Sequence, residues 1–531
     1  MTAVVARDRT TAPEKKGVDR AVLAVFAGLM LGSLIASLNL TLVAPALPTI
    51  VAELGGIADY SWIPISAMLA STIVVPIAGK LSDIYGRKPL YMTGIVVFAV
   101  GSALSGLAPN FWFLVFARFV QGAGMGFIMP LSQAIIGDII SPRERGKYQG
   151  MIGASFGLSS IVGPAAGGFI TDHYSWRWLF FVNLPFAVLT LIVVALYMHV
   201  PNERRRHSID VGGSVTLSLG ITCLLLATVW GGTQYAWNSW EIIGLYSTAV
   251  VLLVAFAWFE RRAPEPVLPL YLFKSSIFTF SNIAGIGVAM TMFGAIFFLP
   301  VFVQGVIGNS ATNSGEILVP MLLAMVVSSI GSGQIISRTG RYKAILLGGL
   351  ALMAAGYLMI TTFDINTTNQ SLVEAMILIG LGLGCTMQTY TLIVQNSVSR
   401  ADLAVATSAT QLSRSMGSAL GLAIMGTILT QGLASSIARY IPASGLHNFA
   451  SPTAGSVFDP TQLAHLPAAI AAGIRHGLSD ALHPVFVAGL AMIVLAFIAT
   501  LFIRELPLRQ TAHVAAGRSS AEADKNVETP V

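Results

Sequence analysis

The stretch GKLSDIYGRK, residues 79–88, is short and charged, and it lies between two apolar runs at about 60–79 and 89–108. Each run holds about 20 residues, the length that an α-helix needs to cross the hydrocarbon core of a bilayer. Glycine allows a tight turn with a positive φ, and arginine can bind a carboxylate through two parallel hydrogen bonds. We therefore expect two membrane helices joined by this turn, with Arg87 paired to a carboxylate such as Asp138 at the end of a later run.

The whole chain has the composition of an integral membrane protein. Its 531 residues are 55% hydrophobic and 10% charged, with a mean hydropathy of +0.75, whereas about a quarter of the residues of a soluble domain are charged. Two cysteines, Cys223 and Cys385, lie in apolar runs and give neither a disulfide framework nor a zinc-site spacing. The net charge of +6 is not gathered into a stripe that would bind nucleic acid. We expect no metal, no cofactor and no nucleic-acid partner.

Fourteen apolar runs are long enough to be membrane helices, which predicts an all-α polytopic fold. They lie at about 21–47, 60–79, 89–108, 111–137, 147–170, 178–199, 212–232, 242–259, 277–303, 315–336, 344–362, 372–397, 404–430 and 485–503. Because the number is even, both termini are expected on one side of the membrane. The first run is longer than a signal-peptide core and has no A-x-A-like cleavage site after it, so we interpret it as an uncleaved span.

Positive charges in the short loops predict which side is cytoplasmic. Lys and Arg are concentrated in the two terminal tails and in every second connection, whereas the opposite side carries only Arg177, Arg439 and Arg475. Cytoplasmic loops of membrane proteins are enriched in Lys and Arg. Both termini are therefore predicted to be cytoplasmic.

Two separate patterns recur at the same distance along the chain. GKLSDIYGRK from Gly79 is similar to GQIISRTGRYK from Gly333, and a Gly-x-x-x-Gly pattern from Gly163 recurs from Gly417; both pairs are 254 residues apart. Duplicated halves that meet near the bilayer midplane are a common architecture of secondary transporters. We therefore expect six helices, two inserted helices, and six helices again.

The predicted domain organisation follows from this repeat. In chain order it consists of a cytoplasmic tail (1–20), a six-helix bundle (21–200), two inserted helices with flanking loops (201–276), a second six-helix bundle (277–503) and a cytoplasmic tail (504–531). The second bundle contains a long external loop, 431–484. Two interpretations of this loop are open: a surface loop with a short interfacial helix, or a gate or docking site for an exported substrate or partner.

The turn at residues 79–88 resembles, almost residue for residue, the signature between spans two and three of the major facilitator superfamily. In that superfamily the cluster holds the two halves together in the outward-open state. The resemblance implies a cytoplasmic latch made of Gly79, Asp83, Gly86, Arg87 and Asp138. The alternative is that these charges only anchor the topology of the helices, which would hold in either case.

Spans four and five carry further motifs of this superfamily. In FLVFARFVQGAGMG, Arg118 resembles an arginine linked in the family to proton transfer; an arginine inside a membrane should face a cavity or a partner, and snorkelling to the outer interface is the alternative. Span five resembles the motif that marks antiporters rather than symporters, made of Gly157, Gly163, Pro164, Gly167 and Gly168. SWRWLFFVNLPF, from Ser175, resembles a segment of the fourteen-span drug:proton antiporter family (QacA/EmrB-like), and the resemblance extends over nearly the whole chain.

Span one departs from that family at Asn39. The related antiporters usually place an aspartate there, whereas asparagine can hydrogen-bond but cannot titrate. No other Asp or Glu lies near the middle of a predicted span, and no histidine relay is evident. The remaining candidates for proton coupling are Arg118 and two acids just inside the outer ends of their spans, Glu316 and Glu374. Acids at such positions also suit the N-terminus of a helix.

The substrate cavity is predicted to be lined by apolar, polarizable and amide side chains, because Met and aromatic residues adapt to varied apolar ligands. The candidates are Asn39, Met129, Phe156, Phe297, Gln388, Tyr390 and Arg414. For each of them, ordinary packing against helices or lipid is the alternative. With Arg118 and Asn39, Arg414 makes the cavity less negative than that of an exporter of cationic drugs, which favours neutral or anionic amphiphiles, including lipids.

These observations predict a secondary active exporter of small amphipathic molecules (multidrug efflux) in the plasma or inner membrane of a bacterium, working by alternating access and proton antiport. The pattern GxxxxGK[ST] is absent from the sequence, so ATP is not the direct energy source, and no set of catalytic residues indicates an enzyme. A lipid or specific-metabolite exporter with weak or relocated proton coupling is the main alternative, because of Asn39; an importer and a non-transporting scaffold are the others. The expected partners are a drug or lipid substrate, protons and the bilayer, with a periplasmic adaptor left open.

Overall fold

The computed structural model describes residues 20–43, 46–54, 62–198, 210–232, 234–263, 266–308, 311–399, 402–440 and 468–508. Apart from one isolated β-bridge, regular structure within these residues is helical. The α-helices are α1 (Arg20–Leu42), α2 (Leu47–Leu54), α3 (Trp62–Tyr85), α4 (Arg87–Gly106), α5 (Phe111–Ile139), α6 (Pro142–His173), α7 (Trp178–Phe181), α8 (Asn183–Tyr197), α9 (Val211–Trp230), α10 (Trp240–Glu260), α11 (Ser276–Phe302), α12 (Ala311–Thr339), α13 (Lys343–Thr361), α14 (Asn369–Ser397), α15 (Leu403–Tyr440) and α16 (Ala468–Leu501). A 3₁₀ helix (Leu270–Lys274) precedes α11, and a π-helical turn (Val303–Ile307) follows it.

Several helices begin at a side chain that accepts a hydrogen bond from the free N–H groups of the first turn. Asn110 Oδ1 accepts from the backbone N–H of Phe113 at 2.9 Å before α5. Asp210 Oδ1 accepts from Gly213 at 2.8 Å before α9, and Ser239 caps α10 in the same way. These polar residues stand just before apolar runs, so the sequence itself sets where the helices start.

Twelve helical stretches of the described chain are long and apolar enough to cross a membrane, which confirms the prediction of an all-helical polytopic membrane protein. α1 and α6 fall outside this group. α1 holds a shorter apolar stretch, Leu23–Asn39, and α6 is 32 residues long but rich in Gly, Ser and charged residues. The two helices pack on each other; α1 also packs on α5 and α8 of the same bundle, and α6 on α12 and α14 of the other. The count of fourteen spans stays a prediction.

Helices α1 to α8 and α11 to α16 form two bundles with separate apolar cores. The first core includes Leu29, Phe98 and Ile135, and the second includes Leu299 and Leu350. α1 packs on α6 in the first bundle as α11 packs on α15 in the second. This correspondence agrees with the repeat in the sequence, while the exact domain limits stay predictions.

The two inserted helices pack on each other and against both bundles. Leu217 and Leu225 of α9 and Phe256 of α10 share an apolar cluster with Leu69 of α3 and Leu412 of α15. The inserted pair therefore covers a place where α3 and α15 meet.

Both ends of the predicted external loop 431–484 are helical in the structure. α15 continues to Tyr440 and α16 begins at Ala468. The physical reason is that apolar residues continue at helical spacing beyond the predicted limits, so that Ile437 of α15 and Leu478 of α16 belong to the core of the second bundle. The rest of this connection lies outside the described residues, as do nearly all of the N-terminal tail and the chain beyond residue 508.

Candidate functional site

The turn between α3 and α4 has the geometry that its glycines predict. Gly86 precedes the first residue of α4 with a φ of 95°, a region that residues with a Cβ rarely adopt. Gly340, its counterpart in the second bundle, has a φ of 73° after α12. The sequence repeat therefore reappears as a repeated backbone turn.

Arg87 joins the ends of α3 and α5. Its Nε donates to Asp138 Oδ2 at 2.8 Å, its Nη1 donates to Ser82 Oγ at 2.8 Å, and Nη1 also pairs with Asp83. Arg87 is only 8% exposed, so solvent and salt screen these charges weakly. The structure thus brings Arg87, Asp83 and Asp138 together, in the pairing that the sequence suggested. Sequence reasoning missed Ser82, although it stands within the same motif.

Gly79, the first residue of the predicted latch, lies against the second bundle. A Cβ on Gly79 would lie 3.1 Å from the carbonyl oxygen of Ala404 and 2.8 Å from Cβ of Ser408, both in α15. A side chain at this position would therefore push α15 away. The latch touches both bundles: Arg87 and its partners order the end of the first bundle, and Gly79 lets the second approach it.

A second close contact between the bundles runs along α6 and α12. A Cβ on Gly146 would lie 2.8 Å from the carbonyl oxygen of Gly333, and one on Gly150 would lie 3.1 Å from the carbonyl carbon of Ser329. Ser329 Oγ donates to the Gly150 carbonyl oxygen at 2.9 Å. The two helices therefore meet backbone to backbone, as small residues permit in membranes.

Buried amides also cross from one bundle to the other, and we call Gln133, Gln149, Gln388 and Gln395 the amide cluster. Gln395 Nε2 donates to the backbone carbonyl of Gln133 at 3.0 Å, and Gln149 Nε2 donates to Gln395 Oε1 at 3.2 Å. Gln133 Nε2 lies 3.5 Å from Gln388 Oε1. Because a buried polar group costs free energy unless it is hydrogen-bonded, these bonds favour the state in which the bundles touch.

Sequence reasoning singled out only Gln388 of this cluster. The others are amides within apolar runs, a signal that could have marked them as polar contacts inside the membrane. Gln388 also lines a cavity of about 10 Å³ together with Gln149, Ser329 and Ser332. That volume has room for about one water molecule. It lies within the closed contact between the bundles and is too small for a substrate.

Arg118 lies inside the first bundle and donates hydrogen bonds to neutral groups. Its Nη1 donates to Asn39 Oδ1 at 2.6 Å and to Gln121 Oε1 at 2.7 Å, and its Nε donates to the carbonyl oxygen of Ile63 at 3.3 Å. Gln121 Nε2 in turn donates to Ser102 Oγ at 3.0 Å. Asn39 thus occupies the place where a carboxylate would neutralise the arginine.

Arg118 is 1% exposed, so it does not snorkel to the outer interface, which was the alternative interpretation. No ion pair found among the described residues includes it. Asn39 Nδ2 is also buried, and it has no hydrogen-bond partner among the described residues. The charge of Arg118 is therefore hydrogen-bonded to neutral groups only, among the described residues.

The glycines of the antiporter motif have three different environments. A Cβ on Gly163 would lie 2.7 Å from Cβ of Thr41 in α1, and one on Gly157 would lie 3.0 Å from the side chain of Met325 in the second bundle. Gly167 lies against the backbone of Leu42, whereas nothing lies within 4 Å of a Cβ on Gly168. α6 runs through Pro164 without a break, and the side chain of Pro164 lies outside the described residues.

Three apolar candidates for the substrate cavity lie in different places. Met129 packs against the core of the first bundle. Phe156 of α6 packs against the core of the second bundle, at the contact between the two. Phe297 is 48% exposed and stacks on Phe293 with ring centroids 5.9 Å apart. Of the three, Phe297 offers the open aromatic surface that a substrate could contact.

Tyr390 does not line a cavity, and this prediction is corrected. The side chain is 1% exposed and packs in the core of the second bundle. Its Oη lies 2.7 Å from Thr500 Oγ1 of α16. The hydroxyl finds its partner inside the bundle, because a buried phenol is stable only when its O–H is paired.

Of the two acidic candidates for proton coupling, the structure describes only the side chain of Glu374. Glu374 is exposed near the start of α14, and its Oε1 accepts from Gln370 Nε2 at 2.9 Å. The backbone of Glu316 belongs to α12, and its side chain lies outside the described residues. Over the part of the chain that is described, no three His, Cys, Asp or Glu residues could hold a metal ion together.

Arg414 of α15 is a second arginine within a membrane-length helix. Its Nε and Nη1 are enclosed, and neither has a hydrogen-bond partner among the described residues. Unlike Arg118, it therefore has donors that no neighbouring amide or carbonyl group satisfies.

An ion pair that sequence reasoning missed lies outside the spans. Arg177 Nη1 is 2.5 Å from Glu53 Oε1, and Trp176 Nε1 donates to Glu53 Oε2 at 2.7 Å. The hydrogen bonds from Arg177 and then from Trp176 lower the pKa of Glu53 below its ordinary value. These contacts fasten α2 to the segment that precedes α7.

The sequence profile described as "Major Facilitator Superfamily" matches residues 29–422. The chain is 36% identical over 539 residues to the multidrug transporter protein MdtP of Bacillus subtilis (strain 168), covering 97% of this chain and 99% of that protein. It is 35% identical over 497 residues to multidrug resistance protein 3 of the same organism, covering 92% of this chain and 96% of that protein.

Among solved structures, the proton:xylose symporter XylE has a similar fold, with a TM-score of 0.61 and 13% identity over 93% of this chain and 98% of that one. At this identity the likeness concerns the fold alone. The family and its multidrug relatives make the chain a membrane transporter of the exporter type, and not an enzyme. The chain belongs to the Major Facilitator Superfamily.

Proposed function

We propose that this protein exports small amphipathic molecules by alternating access and proton antiport, in the plasma membrane of a bacterium. Two relatives that match over most of the chain carry multidrug names, and Gly163 and Gly167 pack closely on α1, which agrees with a structural role for the antiporter motif. The observation that carries the proposal is the set of contacts between the bundles: the latch glycine, the α6–α12 contact and the amide cluster.

These contacts lie towards one end of the helices, which supports alternating access. Gly79 is near the end of α3, Gly333 is near the end of α12, and Ala404 is near the start of α15. With the orientation predicted from the positive charges, all three ends are cytoplasmic. The arrangement is then the outward-facing state, and breaking these contacts opens the path to the cytoplasm.

We propose fourteen spans with both termini in the cytoplasm. α1 has 23 residues and α6 has 32, and a helix of about 20 residues crosses the hydrocarbon core. Buried Ser155 and Ser159 place polar atoms of α6 against protein, which explains how a helix of low hydropathy can be a span. Protease protection of tags fused to each terminus in sealed vesicles tests this topology. If protease added outside intact cells digests either tag, the two termini are not both cytoplasmic and this topology is excluded.

Proton coupling is the finer part of the proposal. The candidates remain Arg118, Glu316 and Glu374. Asn39 cannot take a proton from Arg118 or from a substrate, so coupling must use a group other than the one that the related antiporters use. We propose that the proton-coupling site lies instead at the outer end of α12 or α14.

A lipid or specific-metabolite exporter with weak proton coupling is the second candidate function. Asn39 favours it, because its amide accepts a hydrogen bond from Arg118 but has no proton to exchange. In this case substrate moves without a stoichiometric proton flux.

Proteoliposomes with an internal pH dye separate the two functions. The probes are tetraphenylphosphonium and the neutral methyl ester of pyrenebutyrate, added to wild type, Glu316→Gln and Glu374→Gln. Glu241→Gln, in the first turn of α10, is the matched control for the loss of an acid at the start of a helix. Probe-dependent proton flux that one candidate variant abolishes and the control keeps is the expected result.

Movement of either probe without any proton flux rules out antiport and leaves the second candidate. If neither these probes nor anionic 1-pyrenebutyrate moves or drives protons, while the protein stays folded, export of amphipathic molecules is wrong for this chain.

A further inference from the structure

Arg414 lies near the middle of the membrane. α15 begins at Leu403, so Arg414 is eleven residues further, or about 16 Å along the helix axis at 1.5 Å per residue. The hydrocarbon core is about 30 Å thick. An arginine at this depth is costly unless it has a partner, and it marks a functional position by default.

Two donor atoms of the Arg414 guanidinium have no acceptor among the described residues. Nε and Nη1 of Arg414 are enclosed and unpaired within the described chain, and no ion pair described there includes the residue. Arg414 as a whole is partly exposed, so its exposed surface belongs to atoms other than Nε and Nη1. Because a buried, unsatisfied charged donor costs more than a neutral one, the arrangement is incomplete without an oxygen ligand.

The facing helix contributes no side chain directly beside Arg414. Gly285 of α11 stands opposite, and a Cβ there would lie 3.9 Å from Arg414 Cγ, so no side chain of α11 occupies that position. One turn earlier on the same face of α11, Ser281 is fully buried and its Oγ has no hydrogen-bond partner in the described chain. A hydroxyl and a guanidinium that both lack a partner suit an oxyanion.

The charges of the membrane interior point to the same ligand. Arg118 of the other bundle is bound by neutral groups only. The described acids that are buried or nearly so stand at or near the ends of their helices, as Asp138 does in α5 and Glu260 in α10. Between these ends the spans predicted from the sequence hold Arg118 and Arg414, and no carboxylate described there is buried, so a cationic molecule is repelled there and an anionic one is attracted.

We propose that Arg414 binds the anionic group of the transported molecule, with Ser281 as a second donor, and that the substrates include amphipathic oxyanions. This inference rests on the proposed export function and specifies its substrate class. Guanidinium binds carboxylate and phosphate oxygens through paired hydrogen bonds. The exposed ring of Phe297, stacked on the partly buried Phe293, provides an apolar surface on α11 for the body of the molecule.

Equilibrium binding of three pyrene probes to the purified full chain in a neutral detergent tests this site. The probes share one apolar body and differ in charge: 1-pyrenebutyrate, its methyl ester and 4-(1-pyrenyl)butyltrimethylammonium. The variants are Arg414→Gln, Arg414→Lys and the control Arg504→Gln, which removes an exposed arginine after α16. Fluorescence anisotropy gives a Kd for each combination.

Wild type is expected to bind pyrenebutyrate at least about tenfold more tightly than the ester, and Arg414→Gln to lose that preference with the ester Kd unchanged. Arg414→Lys keeps the charge but not the planar pair of donors, so it should retain part of the preference. Arg504→Gln should behave as wild type. Displacement of pyrenebutyrate by oleoyl lysophosphatidate assigns the oxyanion to a lipid headgroup, and lack of displacement assigns it to free carboxylates.

Equal affinity of wild type for the acid and the ester overturns the proposal, and this measurement needs no variant to fold. An equal loss for all three probes in Arg414→Gln also overturns it, because it indicates a structural role. Failure of the export function looks different: carboxylate binding that depends on Arg414 would persist, while neither pyrenebutyrate nor its ester would move in proteoliposomes.

Discussion

Arg87 shows how one side chain can hold three helix ends in register. It contacts Ser82 and Asp83 of α3 and Asp138 of α5 while standing at the start of α4. Removing one member of a buried ion pair leaves the other charges unpaired, at a cost of about 3–5 kcal/mol. The latch is therefore the place where a single substitution should have the largest effect.

We expect Arg87→Gln to abolish transport and to lower the midpoint of thermal unfolding in detergent. Lys88→Gln is the matched control, because Lys88 is the next residue and donates only to the carbonyl oxygen of Ala195, at 2.7 Å, among its described contacts. The control loses the same charge but no buried carboxylate partner. Wild-type transport in Arg87→Gln would contradict the latch.

Asn39 gives a second prediction for a single residue. Asn39→Leu removes the Oδ1 that accepts from Arg118 at 2.6 Å, and a lost hydrogen bond to a buried charge costs about 1.5–3 kcal/mol. Asn39→Asp supplies an acceptor with the opposite charge and should be at least as stable as wild type. Thermal unfolding of the three proteins checks this order. A Leu variant as stable as wild type would show that Arg118 has another partner.

The pairing of Arg87 with Asp83 and Asp138 could be predicted from the sequence, because it needs only a guanidinium and carboxylates at the ends of neighbouring helices. The sequence predicted the cavity poorly. Tyr390 and Gln388 are two residues apart in α14, yet one is enclosed in the second bundle and the other faces the first. A residue's direction depends on how the whole helix is rotated against its neighbours, which a run of apolar residues does not specify.

Helix α6 shows that the same residue type can have different tasks within one element. Gly167 meets the backbone of Leu42, whereas the next residue, Gly168, has open space around it. Sequence reasoning treated these glycines as equal members of a motif. Only the structure separates the glycine that permits a helix contact from its neighbour.

Gly167→Ala should therefore reduce both transport and thermal stability, because the new methyl group would force α1 and α6 apart. The Leu42 carbonyl is backbone and cannot move as a side chain can. Gly168→Ala, in the same helix and motif, is expected to behave as wild type. Equal effects of the two substitutions would mean that the motif acts through helix flexibility, and not through packing.

The contact between α2 and the segment before α7 gives a prediction about pH. The pKa of Glu53 is lowered in the folded state from an ordinary value of 4.5. The stabilisation is therefore complete above that value and is lost as the pH falls through the lowered pKa. The groups are partly exposed, and solvent screening limits the effect to below about 1 kcal/mol.

We expect Glu53→Gln to unfold at a slightly lower temperature than wild type at pH 7, and the difference to shrink as the pH falls below about 4.5. Glu241→Gln is the control for the loss of one acid. Scanning calorimetry at several pH values measures both. A difference that grows on acidification would reverse the sign and exclude this ion pair as its cause.

In the proposed mechanism the two bundles are the moving parts of the molecule, and the sequence indicates their duplication through a single offset of 254 residues. What the sequence did not reveal was how the bundles meet. The amide cluster joins residues that are far apart in the chain, such as Gln149 and Gln395. No local pattern specifies such a pair, since it depends on the docking of two complete bundles.

Gln395→Met should weaken the contact between the bundles and shift the protein towards its cytoplasm-open state. Spin labels at Tyr85→Cys and Arg341→Cys, in a Cys223→Ser and Cys385→Ser background, report the separation of α3 and α12 by pulsed electron resonance. A larger fraction at long distance is expected. Gln370→Met, at the exposed start of α14, is the control, and equal distance distributions in both variants would contradict a closing role for the cluster.

The glycine face of α6 has a consequence for rates of motion. Gly146, Gly150, Gly153 and Gly157 follow one another at helical spacing and all lie against the second bundle. When the bundles move along this face in the proposed mechanism, few side chains of α6 must change rotamer. The face therefore adds little to the energy barrier of the motion. The rate of exchange between the two states is then set by the charges and amides that must separate. The glycine face is the surface along which the two halves move.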